Sequence, residues 1–199
     1  MKSLYKFIVT PKSDRYSNTA KVGGKDLILN TDIYNHKYIS RNAIVLATPT
    51  AFETPIKEGM EVVIHHNVFR RWHDIRGNEA NSSSFITEDR YGCYVDQIYM
   101  YKEDGEWKGF DEYCFVIPAK NDEKFDIKNE KTTKGIIEVS NSVLKSMGVV
   151  KGSSIGFLPS SEYEFVVDGK LMYKMSWRDV CVKYEDNKFK PYQPELAEF

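Results

Sequence analysis

Short apolar runs bounded by turn residues recur along the chain, and helical periodicity is almost absent. The runs are Leu4 to Val9, Ala43 to Ala47, Glu61 to Ile64, Cys93 to Tyr101, Tyr113 to Ile117, Gly135 to Val139, Ser154 to Leu158, Tyr163 to Val167, Leu171 to Met175 and Asp179 to Tyr184. They are rich in Val, Ile, Tyr and Phe, residues that suit a pleated, half-buried surface, so each is predicted to be a strand. One stretch reads as a helix, Asn141 to Met147, where Val143, Leu144 and Met147 share a face for barely two turns. Many short strands with turns between them predict an all-β protein of the barrel or sandwich class.

The strand pattern occurs twice. Tyr5 to Pro11 is followed, after a polar segment, by Asn42 to Leu46; Tyr113 to Pro118 is followed, after a polar segment, by Lys134 to Val139. A lysine-glycine turn then enters a strand in each half, Ile56-Lys57-Glu58-Gly59 and Val150-Lys151-Gly152. Each half closes on an aspartate leading into an alternating strand, Asp96 before Ile98 to Tyr101 and Asp179 before Val180 to Tyr184. The predicted organisation is a first domain over 1–105 and a second over 110–185, with a charged connector near Tyr101 to Asp111 and a polar tail over 186–199. Within the first domain, 14–40 is expected to be a mobile loop and 69–91 a long hairpin arm.

The order of these elements resembles the co-chaperonin family of the GroES type, whose small barrel caps a chaperonin ring. In that family an early strand leads to a flexible loop with a Gly-Gly and an aliphatic triplet, then a V-K-x-G-D-x-V turn and strand, a roof hairpin and a closing D-I-L-A strand. This chain offers Gly23-Gly24 and Leu27-Ile28-Leu29 for the loop, Val150-Lys151-Gly152-Ser153-Ser154-Ile155 for the turn and Asp179-Val180-Cys181-Val182 for the close. The family aspartate after the turn glycine is replaced by Met60 and Ser153, and the second half has Asn121 to Lys134 at the loop position without Gly-Gly or triplet. The resemblance implies two tandem GroES-like small β-barrels, a homo-oligomeric ring, and a lid that binds a chaperonin through Leu27, Ile28 and Leu29, with Gly23 and Gly24 as hinge. It implies that non-native protein is enclosed while the partner, not this chain, binds and hydrolyses ATP. The long arm at 69–91 falls where the roof hairpin would be, opposite the shorter stretch around Asp168-Gly169, a pair that predicts a tight turn.

The loop has a physical case of its own. From Pro11 to Arg41 the chain is mostly Lys, Asp, Asn, Ser, Thr and Gly, too polar to offset its ordering entropy by burial. Burying one aliphatic side chain contributes roughly 1.5 to 3 kcal/mol, so three in a partner groove contribute roughly 5 to 9 kcal/mol before ordering costs are subtracted. One loop binds weakly, and a ring of loops binds firmly through effective concentration. The competing reading makes Asp26 to Asn30 one more strand of the barrel, with its triplet in the core.

Composition narrows the alternatives. The 28 Lys+Arg and 29 Asp+Glu of the 199 residues nearly cancel, which argues against nucleic acid as the main partner. Against that balance stands a local basic, aromatic cluster, Arg70, Arg71, Trp72 and Arg76, of the kind that stacks on single-stranded bases. A second alternative is a structural assembly protein, of a virus for instance, that uses the barrels as oligomerisation modules. The longest aliphatic run, Ala43 to Ala47, is far short of the about 20 residues a spanning helix needs, and the N-terminus lacks the apolar core of a signal peptide, so a cytoplasmic protein without membrane contact is expected. Cys93, Cys114 and Cys181 form no C-x-x-C and are expected to be reduced. His65 and His66 are strand neighbours that point to opposite faces, and neither with His73 and Cys93 has zinc-motif spacing, so no metal is expected. Gly23-Gly24-Lys25 lacks the first glycine and the Ser/Thr of a phosphate loop, and no catalytic motif is present; no cofactor and no enzymatic activity are expected.

Overall fold

The computed structural model describes residues 2–16, 19–22, 25–28, 35–121, 130–185 and 188–194. The protein is predominantly β and divides into two compact units, Met1–Gly105 and Glu106–Glu198.

The first unit contains β1 (Phe7–Pro11), β2 (Thr19–Val22), β3 (Lys25–Ile28), β4 (Asn42–Ala47), β5 (Glu61–Ile64), β6 (Arg71–His73), β7 (Glu79–Asn81), β8 (Phe85–Thr87), β9 (Arg90–Cys93) and β10 (Ile98–Glu103). Its main sheet runs β8-β9-β1-β4-β5-β10, antiparallel throughout. Alternation positions the core: Ala43, Val45 and Ala47 of β4 are buried, whereas Ile44 and Leu46 between them face outward. Phe7, Val9, Val62, Ile64, Tyr91 and Met100 complete this interior.

The second unit begins with β11 (Glu106–Gly109), which follows the turn at Asp104-Gly105, and continues with β12 (Tyr113–Lys120), β13 (Glu130–Val139), α1 (Ser142–Ser146), β14 (Ser154–Phe157), β15 (Tyr163–Val167), β16 (Lys170–Ser176) and β17 (Val180–Tyr184). Its sheet runs β15-β16-β12-β13-β14-β17. With β12 matched to β1, β13 to β4, β14 to β5, β15 to β8, β16 to β9 and β17 to β10, the strand order is identical to that of the first unit.

The irregularities match as well. In β1 the register against β4 slips between Ile8 (opposite Ala47) and Val9 (opposite Val45). In β12 it slips against β13 between Phe115 (opposite Val139) and Val116 (opposite Ile137). A second slip separates Ile98 and Met100 in β10, and its counterpart separates Val180 and Val182 in β17. Bulges reverse which residues face inward, so two at the same places make the repeat structural rather than compositional.

This register corrects two details of the sequence alignment. His65 N–H donates to Gln97 O and Leu158 N–H to Asp179 O, so Gln97, not Asp96, is the equivalent of Asp179. Met60 N–H donates to Lys57 O and Ser153 N–H to Val150 O, so Lys57 corresponds to Val150 and the two lysines stand one position apart.

Other expectations are revised. Among the described residues neither main sheet closes on itself: β8 and β10 do not pair, nor do β15 and β17. The run Cys93 to Tyr101 is broken by a 3₁₀ turn at Val95–Gln97, because the chain must leave β9 and return beside β5 as β10. The helix candidate forms as α1, capped by Asn141, whose Oδ1 accepts from Leu144 N–H at 2.9 Å. Only Leu144 of its expected apolar face is buried; Met147 is exposed, because the helix ends one residue earlier and Gly148 turns away with φ 75°.

Of the segment read as a polar tail, residues 188–194 lie along the second unit. Lys120 N–H donates to Lys190 O, Tyr192 N–H to Pro118 O, and the Gln193 side chain pairs with both backbone groups of Leu171 at 2.9 Å each. Phe189 packs against Tyr184. The apolar and amide groups of this stretch, set among charges, supply these contacts.

Candidate functional site

Between β1 and β4 the first unit sends out an arm. Its root is a β-bridge between Tyr16 and Ile39, both buried, with Ser40 N–H donating to Arg15 O at 3.0 Å. Beyond the root β2 and β3 pair with each other in a two-stranded sheet of their own, in the register Thr19 to Ile28, Ala20 to Leu27, Lys21 to Asp26 and Val22 to Lys25. Leu27 and Ile28 therefore lie on β3, and β3 is not a strand of the main sheet. Gly23, Gly24 and Leu29 lie outside the described residues.

The 69–91 stretch is two hairpins. β8 and β9, joined at Glu88-Asp89, are the counterpart of β15 and β16, joined at Asp168-Gly169 with φ 48° and 73°. The additional length is β6 and β7, which pair Arg71 with Asn81 and His73 with Glu79. The second unit has nothing comparable between Phe157 and Tyr163.

This hairpin disperses the basic, aromatic cluster. Arg71 is ion-paired with Glu79 at 2.8 Å and its guanidinium lies 4.6 Å over the Tyr16 ring. Trp72, the neighbouring strand residue, points to the opposite face and donates from Nε1 to Asn81 O. Arg76 sits in the Asp74–Asn78 turn, where its backbone N–H donates to Asp74 Oδ1. Arg70 Nε is buried without a hydrogen-bond partner.

At the root of the arm the histidines cluster in a way that spacing did not reveal. His36 lies in a 3₁₀ turn of the arm, with its ring 5.4 Å from that of His66, which stacks on His65 at 4.4 Å. Burial, then the neighbouring His65, Arg41, His36 and Arg70, push the His66 pKa down to about 3, so the ring is neutral. His65 Nδ1 accepts from Asn67 N–H and is committed to capping the 3₁₀ turn His66–Val68. Among the described residues no group of three or more His, Cys, Asp or Glu side chains is arranged to hold a metal ion. Cys93 and Cys114 are buried free thiols; burial raises both pKa values, that of Cys114 to about 12, and Cys181 is exposed. Among the described residues no helix is long and apolar enough to cross a membrane.

Compared with protein-family models and with curated proteins, the sequence matches neither a family nor an individual protein.

Proposed function

We propose that the chain is a co-chaperonin-like lid: two GroES-like small barrels in tandem, of which the first binds a chaperonin ring through its arm. The observation that carries the reading is that, among the described residues, β3 pairs with β2 alone. A Leu27 and Ile28 strand inside the main sheet would spend its backbone on a neighbour there; an independent hairpin leaves it to dock elsewhere. The repeat adds support, because the same strand order and bulges carry the β6–β7 hairpin in the first unit and nothing comparable between Phe157 and Tyr163 in the second. On this reading the chain forms a homo-oligomeric ring and acts by binding and enclosure, with ATP hydrolysis left to the chaperonin, in a cytoplasmic setting. The basic stretch gives nucleic-acid binding weaker support, since Arg71 is matched by Glu79 and Trp72 turns to the other face.

Size-exclusion chromatography with a chaperonin tests the proposal. Co-elution that requires ATP, and that is lost in Leu27→Ser/Ile28→Ser/Leu29→Ser while the circular dichroism spectrum is retained, is the expected result. A triple variant that unfolds would place the triplet in the core and overturn the reading, as would absence of co-elution under every nucleotide condition.

A further inference from the structure

Two features of the first unit, the arm and the β6–β7 hairpin, are tied together at one residue. Arg15, at the root of the arm, donates from Nε to Phe69 O at 2.6 Å, from Nη2 to Arg70 O at 3.2 Å and from Nη1 to Asn81 Oδ1 at 2.7 Å. Its guanidinium lies 5.1 Å over the ring of Tyr91 and 5.9 Å from that of Phe85. The next residue repeats the connection: Tyr16 Oη accepts the Arg71 N–H at 2.7 Å. Each nitrogen of the guanidinium fork thus donates to the segment leading into β6 or to the end of β7.

A planar, delocalised fork fixes direction as well as distance, which a single ammonium cannot do. The carbonyls it reaches are that of Arg70, which also accepts from Ser82 N–H, and that of Phe69, a buried ring packed edge-on against Tyr91 at 4.8 Å, so withdrawing the fork takes a donor from an acceptor next to the core. The second unit has no counterpart of β6–β7 between Phe157 and Tyr163 for such a clamp to hold.

We propose that Arg15 is a positioning residue that couples the root of the arm to the β6–β7 hairpin, so that a displacement or an occupant of one biases the other. The functional meaning rests on the lid reading, but the coupling does not, and its test needs no chaperonin.

The test uses the full chain with Cys181→Ser, leaving only the buried Cys93 and Cys114 as native thiols, and nitroxides on Ala20→Cys and Ile75→Cys. Pulsed electron spin resonance gives the distance distribution between them. Replacing Arg15 by Lys is expected to widen the distribution at least twofold relative to the sample that retains Arg15. Hydrogen exchange at the Arg71 and Ser82 amides is expected to rise at least tenfold, with Val62 and Val63 unchanged. Equal widths with Arg15 and with Lys overturn the proposal, as does exchange that rises equally in the core. Should Arg15→Lys fail to fold, Asn81→Ala, which removes the one side-chain acceptor of the clamp, replaces it under the same two criteria.

Discussion

Gly59 and Gly152 are the same residue of two repeats. Gly59 has φ 84° and donates its N–H to Val45 O at 2.8 Å; Gly152 has φ 87° and donates to Ile137 O at 2.8 Å. Val45 returns the contact by donating to Met60 O, and Ile137 by donating to Ser153 O, each at 3.0 Å. The turn into β5 and the turn into β14 are therefore one device, and what it demands is a left-handed residue beside the bulge. The neighbouring lysines, which suggested the match from the sequence, have no shared place in it.

Because an added Cβ meets nothing within 4 Å at either glycine, substitution by alanine costs backbone strain alone. Gly59→Ala and Gly152→Ala should each destabilise by about 1 to 2 kcal/mol. Hydrogen exchange reads the effect unit by unit: protection should fall in β5 for the first variant and in β14 for the second. Equal loss in both units from either variant would refute the local origin.

Gly135 is constrained differently. A Cβ there would lie 2.3 Å from Val116 Cγ1 and 2.7 Å from Ile117 O, both on the neighbouring strand β12. Its equivalent in the first unit by strand register is Ala43, a buried residue with room for the methyl group. Gly135→Ala should cost about 1 to 3 kcal/mol through overpacking, measured by urea denaturation. Combining it with Val116→Ala should recover part of that loss, which a purely conformational cost would not allow.

The β-class and the doubled pattern were legible because alternation and turn residues are local signals, and both survive in runs such as Asn42 to Leu46 and Lys134 to Val139. Register was not, since it depends on backbone pairing that composition does not record; Asp96 and Asp179 were matched as the aspartates before the closing strands, and the pairing sets them one position apart. The β2–β3 pairing was hidden by the polarity of its segment, from Pro11 to Arg41. Arg15 gave no signal at all: its partners are mostly carbonyls, at Phe69 and Arg70, and a backbone acceptor has no sequence signature. The docking of 188–194 was masked by Lys188, Lys190 and Glu195 around a Phe-x-Pro-Tyr-Gln core.

Gln193 stands in for a strand. Its amide accepts from Leu171 N–H and donates to Leu171 O, at a point where β12 has bent past its last pairing with β16 at Val116 and Tyr173. Gln193→Ala leaves both groups of Leu171 without that partner, and the expected cost is about 1 to 3 kcal/mol. Gln193→Glu should be worse than Gln193→Asn in its effect on the carbonyl, because a carboxylate cannot donate. Thermal unfolding of the three variants, followed by exchange at Leu171, checks the order.

His66 sets a pH dependence whose sign follows from its environment. Its pKa falls from 6.5 in a solvated ring to about 3 in the folded chain, first through burial and then through His65, Arg41, His36 and Arg70. Above pH 6.5 both states are neutral at this ring and the folded state is undiminished. As pH falls from 6.5 toward 3 the unfolded state takes up a proton that the folded state refuses, so stability is lost across that window. One proton bounds the slope at about 1.4 kcal/mol per pH unit, and the partial exposure of the ring keeps it below that. His66→Gln removes the titration while retaining a polar side chain, so its unfolding free energy should change less between pH 6.5 and pH 4 than that of the parent protein. Parallel pH profiles for the two would show that the cluster at the root of the arm admits the proton in the folded state.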